Sequence, residues 1–191
     1  MTQKPKMEDA FNSLLDGENL NNARAFTAHL KDNKINTQWT NTNTWKAVKK
    51  GVVLCYIKMG ADVIAHSLAQ RTLKYSDDAI KGSWTIYPHI TSIEEQPHIT
   101  SEDKALAASD WYDEIISNEP LHHMICAKVR KCVGCGNKQK CASGINVTLW
   151  GQQLRNCCKF IAAPFVNPDA TELACVMRLL DIYFEAKSAK K

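Results

Sequence analysis

No stretch of this chain approaches the run of about 20 apolar residues that a membrane-spanning helix needs. The longest apolar runs, such as Ile161-Ala-Ala-Pro-Phe-Val166, fall far short. The N-terminus, Met1-Thr-Gln-Lys-Pro-Lys6, is polar and lacks the apolar stretch of a signal peptide. Those two absences predict a cytoplasmic protein with no membrane partner, in which the eight cysteines stay reduced. A catalytic signature is lacking too: no nucleophile and base, and no pair of carboxylates, stand at a diagnostic spacing. What remains is 45% apolar and 23% charged, ordinary for a globular protein. A length of 191 residues can bury a full core, in one domain with an appendage.

Charge of one sign is also missing locally. From Pro120 to Pro168 there is no Asp or Glu, while Lys128, Arg130, Lys131, Lys138, Lys140, Arg155 and Lys159 are positive. From Asp77 to Glu119 there are ten acids against Lys81 and Lys104. A basic block raises the question of nucleic acid. The net charge of only +4 and the lack of interleaved aromatic and basic residues argue against it here. Two blander accounts fit better. Four thiolates around Zn²⁺ leave a charge of −2 that nearby cations offset, and the acidic block can pair with the basic one within the fold or across a homodimer.

Periodicity predicts a helix over residues 6–33, with Leu20, Ala23, Phe26, Thr27 and Leu30 on its buried face and Asp32-Asn33 as its stop. Trp39 and Trp45 lie in a Thr/Asn-rich stretch that runs to Lys49-Lys50-Gly51, and Val52-Val-Leu-Cys-Tyr-Ile57 follows. A turn between two β-favouring runs predicts a hairpin, with Val53, Cys55 and Ile57 on one face and Val52, Leu54 and Tyr56 on the other. Ser83–Tyr87 reads as a strand ended by Pro88, and residues 59–82 stay ambiguous. Pro88-His-Ile-Thr91 and Pro97-His-Ile-Thr100 form a two-copy repeat too short for a solenoid. Asn118-Glu-Pro120 opens a helix with Leu121, Met124, Ile125 and Val129 on its apolar face. Ile145–Trp150 reads as a strand, with a turn from Gly151. Asn167-Pro168-Asp169 starts a last helix, with Asn167 as cap and Leu173, Val176, Met177, Leu180 and Phe184 buried. The expected fold is α+β: an antiparallel sheet with helices at both termini and a cysteine-rich, zinc-knuckle-like loop. Residues 1–35 form an N-terminal helical segment, and 36–191 the α+β domain that contains the cysteines.

Those cysteines hold the strongest chemical signal. Cys132-Val-Gly-Cys135-Gly136 is the compact loop that presents two thiolates to one metal, and Gly134 and Gly136 permit the positive φ such a turn needs. Cys141 is near enough in sequence to bend back, and a tetrahedral site needs a fourth ligand. Cys158 is favoured because residues 141–158 can return as a hairpin across Gly151. Cys157 and Cys126 stay as alternatives, although Cys126 falls off the apolar face of its helix in a direction that points away from Cys132. His122 and His123 are outside candidates. The predicted site is therefore a structural zinc held by Cys132, Cys135, Cys141 and Cys158.

The competing uses are blander. Cys55 and Cys175 fall on apolar periodic faces as small core residues. His29 reads as a surface residue, and the other histidines show no partner in sequence. The tryptophans 39, 45, 84, 111 and 150 read as core before they read as a ligand pocket.

Several of these residues together resemble a group of small bacterial proteins of clostridial type, broadly the YdhG-like α+β class. The features are Cys55-Tyr56-Ile57 after a basic turn, Trp84-Thr-Ile86, Cys132-x2-Cys135-x5-Cys141, Gly151, Asn156-x-Cys158 and Phe165-x-Asn167-Pro168-Asp169. The resemblance spans residues 39–187, and the doubled Cys157-Cys158 departs from it. It implies a compact sheet-plus-helix domain and supplies no catalytic residues. The expected function is a zinc-stabilised domain that binds a small molecule or a protein partner. The alternatives are an enzyme using a thiol or histidine of the cysteine-rich region, and a nucleic-acid-associated protein using the acid-free block.

Overall fold

The computed structural model describes residues 4–41, 43–59, 82–88, 119–129, 131, 145–149, 152–157 and 163–189. In chain order the elements are α1 (Met7–Leu14), α2 (Gly17–Asp32), β1 (Asn36–Asn41), β2 (Thr44–Lys49), β3 (Val52–Met59), β4 (Trp84–Pro88), α3 (Glu119–Lys128), β5 (Ile145–Leu149), β6 (Gln152–Cys157), β7 (Phe165–Val166) and α4 (Ala170–Ala189). The class is α+β. An antiparallel sheet of five strands, ordered β1-β2-β3-β4-β7, has helices before and after it in the chain, and β5-β6 is a separate hairpin. The chain divides into two compact units. One comprises Met1–Val63, Tyr75–Ile90 and Phe165–Lys191, and the other Ile64–Lys74 and Thr91–Pro164.

In the first unit the expected single helix over 6–33 is broken in two. Leu15 and Asp16 are extended and Gly17 takes φ +49°, so Asp16-Gly17 acts as a turn that apolar periodicity passes over. Beyond the break the predicted face holds: Ala23, Phe26, Thr27 and Leu30 are buried. Thr27 escapes the cost of a buried hydroxyl by donating to Ala23 O at 2.9 Å. Two asparagines tie α2 to distant loops. Asn19 Nδ2 donates to Gly82 O at 2.8 Å and Asn22 Nδ2 to Pro168 O at 3.0 Å, just before β4 and α4.

The predicted β2–β3 hairpin is present. Lys49 faces Val52, and both turn residues have positive φ, 47° at Lys50 and 82° at Gly51. That is the twist of a two-residue type I′ turn, which glycine adopts freely and lysine at some cost. The predicted alternation holds only in part. Between Ala47↔Cys55 and Val48↔Val53 the register shifts by one, and the extra residue is Leu54. This bulge buries Leu54 and Cys55 consecutively, whereas strict alternation would have put Leu54 on Tyr56's face.

One face of the sheet carries Trp45, Ala47, Cys55, Ile57, Met59, Trp84, Ile86 and Phe165, all buried. Trp84 sits among helix side chains, edge-on to Phe11 at 5.3 Å and tilted against Phe26 at 5.9 Å between ring centroids. Trp45 Nε1 donates to Pro5 O at 3.2 Å, fixing the start of the chain against the sheet. Helix α4 packs against β3, β4 and α2.

The start of α4 differs from expectation. Asp169, not Asn167, is the cap: its Oδ1 accepts the Glu172 N–H at 2.8 Å, so Pro168 precedes the helix. Asn167 has φ +44° and bonds twice to Trp84 of β4. Its N–H donates to Trp84 O at 2.8 Å, and its Oδ1 accepts the Trp84 N–H at 2.9 Å. Of the five residues predicted to be buried on this helix, Leu173, Val176 and Leu180 are, and Met177 and Phe184 are half-buried. Cys175, Leu179, Ile182 and Tyr183 are buried as well, so the helix is covered over far more than one stripe. Phe184 has the ammonium of Lys49 over its ring at 4.3 Å.

Candidate metal centre

The second unit is described through α3, Lys131, and the β5–β6 hairpin. Pro120 lies in the first turn of α3, where its missing N–H costs nothing. Val129 N–H bonds to Ile125 O at 3.0 Å, continuing the helical pattern one residue past Lys128. Leu121 and Ile125 of the predicted face are buried, and Met124 and Val129 half-buried. Cys126 corrects the sequence reading. It is buried with them, where helical spacing had set it off the apolar face.

Two residues past Val129, Lys131 pairs antiparallel with Cys157, the last residue of β6. Cys157 also pairs with Ile145 of β5, so β6 is flanked on both sides at its end. A bulge shapes this point. The register moves from Val147↔Leu154 to Ile145↔Cys157, and Asn156 takes φ +57° with its N–H bonded to Asn146 Oδ1 at 3.0 Å. Arg155 and Asn156 are exposed and Cys157 is buried, a change of direction that the bulge supplies. The Cys157 thiol makes a long contact of 3.9 Å to Arg155 O.

Cys126 and Cys157 are therefore neighbours, although 31 positions of sequence separate them. Burial and then the nearby Cys157 push the Cys126 thiol up to about 11. Burial also raises Cys55, and it lifts Cys175, with a further contribution from Glu172, to about 12. All three stay protonated near neutrality and are poor nucleophiles. This pair went unseen in the sequence, where only the doubled Cys157-Cys158 marks the place.

The four residues predicted as zinc ligands, Cys132, Cys135, Cys141 and Cys158, lie outside the described residues, as do residues 59–82 beyond Met59 up to Lys81 and both copies of the Pro-His-Ile-Thr repeat beyond Pro88. Among the described residues, no group of three His, Cys, Asp or Glu could hold a metal. His122 is half-buried and His123 exposed on α3. His29 is not a plain surface residue: its side chain is mostly covered, with Nε2 3.6 Å from Asp181 Oδ1 of α4. Among the described residues, no helix is long and apolar enough to cross a membrane.

The chain matches no known family model, no curated protein and no solved structure.

Proposed function

We propose that this chain is a zinc-stabilised domain of the bacterial cytoplasm that binds a small molecule or a protein partner, with Cys132, Cys135, Cys141 and Cys158 as the tetrahedral ligands. The likeness to the YdhG-like class belongs to the same proposal. The observation that carries it is the pairing of Lys131 with Cys157. Cys132 and Cys158 each follow a bridged residue by one peptide bond, a Cα step of about 3.8 Å. The bridge joins the two points of the chain from which Cys132 and Cys158 continue in sequence. Thiolates that share one ion need sulfurs close together, since Zn–S bonds are about 2.3 Å.

Burial sets Cys157 and Cys126 apart as core thiols. It also favours binding over thiol catalysis, because the thiols of Cys55, Cys126 and Cys175 are held neutral by burial.

Single Cys→Ser replacements with metal analysis of the purified chain test the assignment. Cys132→Ser and Cys158→Ser should lose most of the zinc, while Cys157→Ser and Cys126→Ser keep it. Loss of zinc from Cys157→Ser with retention in Cys158→Ser would overturn the ligand set. A wild-type chain that is folded and free of metal would overturn the reading itself.

A further inference from the structure

The outer face of the five-stranded sheet is unlike its buried face. Strand register aligns Gln38, Lys46, Tyr56 and Tyr87 in one row across β1 to β4. The adjacent row carries Thr44, Lys58 and Thr85. None of the five strands contains an Asp or Glu, so every charge on this face is positive. Tyr56, at 38% exposure, is the one exposed large hydrophobic side chain among the described residues. Lys46 is the cross-strand neighbour of Tyr56 on β2, about 5 Å away, and Lys58 lies two residues on along β3 on the same face.

Lys58 adds an independent observation. It is half-buried, its ammonium is pushed down by burial, and no carboxylate among the described residues forms an ion pair with it. A desolvated cation gains from an anion that reaches it. Thr85 is fully buried and Tyr87 half-buried, so the accessible part of the face lies over β1, β2 and β3.

We propose that this face binds single-stranded nucleic acid, with a base stacked on Tyr56 and the flanking phosphates held by Lys46 and Lys58. A flat sheet with an exposed ring suits unpaired bases, whose π-faces are open, and a duplex offers none. An acidic peptide would satisfy the lysines and leave the ring unused. The proposal uses none of the seven cations between Pro120 and Pro168 and does not depend on the metal reading. Linear sequence shows only Tyr56-Ile-Lys58, because Lys46 joins them through strand pairing.

Fluorescence anisotropy of the full chain with labelled 12-nucleotide oligo-dT and oligo-U, from 50 to 200 mM salt, tests it. Binding should weaken with salt. Tyr56→Ala should lower affinity on the order of tenfold, and Tyr56→Phe should retain it. Lys46→Gln and Lys58→Gln should each reduce the salt slope by about 0.7. Unchanged circular dichroism would show that the variants fold. No binding at 50 mM salt, wild-type affinity in Tyr56→Ala, or equal competition by duplex DNA or polyglutamate would each overturn the proposal.

Discussion

Asn167 does more for this fold than its place in a short connection indicates. It satisfies both main-chain groups of Trp84, whose ring is the centre of the aromatic cluster. Asn167→Ala removes the Oδ1 acceptor, leaves the Trp84 N–H without it, and keeps a strained φ. The expected cost is about 1–3 kcal/mol, read from denaturant midpoints, and Asn167→Asp should lose much less because it keeps the acceptor. A loss as large in Asp as in Ala would remove the hydrogen bond from the explanation.

Cys175 supplies a pH dependence at the same scale. Its thiol titrates near 12 in the fold against 9.0 as the ordinary value, so from pH 9 to 12 the unfolded chain binds fewer protons than the native one. This thiol's contribution to stability is therefore full below pH 9 and is lost as pH rises through that window. Thermal midpoints should fall less steeply above pH 9 in Cys175→Ala than in wild type. Parallel curves would show that the thiol is not the cause.

At the scale of elements, α4 is the test of packing. Leu180 is fully buried on a helix covered over most of its surface, so Leu180→Ala should cost about 2–5 kcal/mol. A cost below 1 kcal/mol would mean that the site is not enclosed. Asp169→Ala should cost about 0.5–2 kcal/mol through loss of the cap.

The regular parts of these elements were legible because they rest on local rules. The buried face of α2, the hairpin turn at Lys50-Gly51 and the strand ending at Pro88 all follow from period and turn chemistry. Irregular points were not. The break at Asp16-Gly17 and the bulges at Leu54 and Asn156 each shift the register by about one residue, and apolar pattern does not encode that shift. Asn167 was read as a cap because Asn-Pro-Asp fits that role, yet its tertiary bonds to Trp84 prevail. Of the cysteine region, the four predicted ligands lie outside the described residues. The pairing of Lys131 with Cys157 and the approach of Cys126 were not legible, because they join positions far apart in sequence.

For the molecule as a whole, charge is unevenly spread along the sequence, and six of the eight cysteines lie in its acid-free stretch. The stretch of sequence from Pro120 to Pro168 carries seven cations and no acids together with Cys132, Cys135, Cys141 and Cys158. Positive neighbours favour thiolate over thiol and so favour metal capture near neutral pH. Lys131→Gln with Lys138→Gln should therefore release zinc to a competing chelator at a lower chelator concentration than wild type requires. Native mass spectrometry of the purified chain, before and after chelation, reaches the central claim most directly. One zinc per chain is predicted, with chelation shifting the charge-state distribution to that of a partly unfolded chain. A metal-free mass, with a compact charge-state distribution unaffected by chelator, would contradict it.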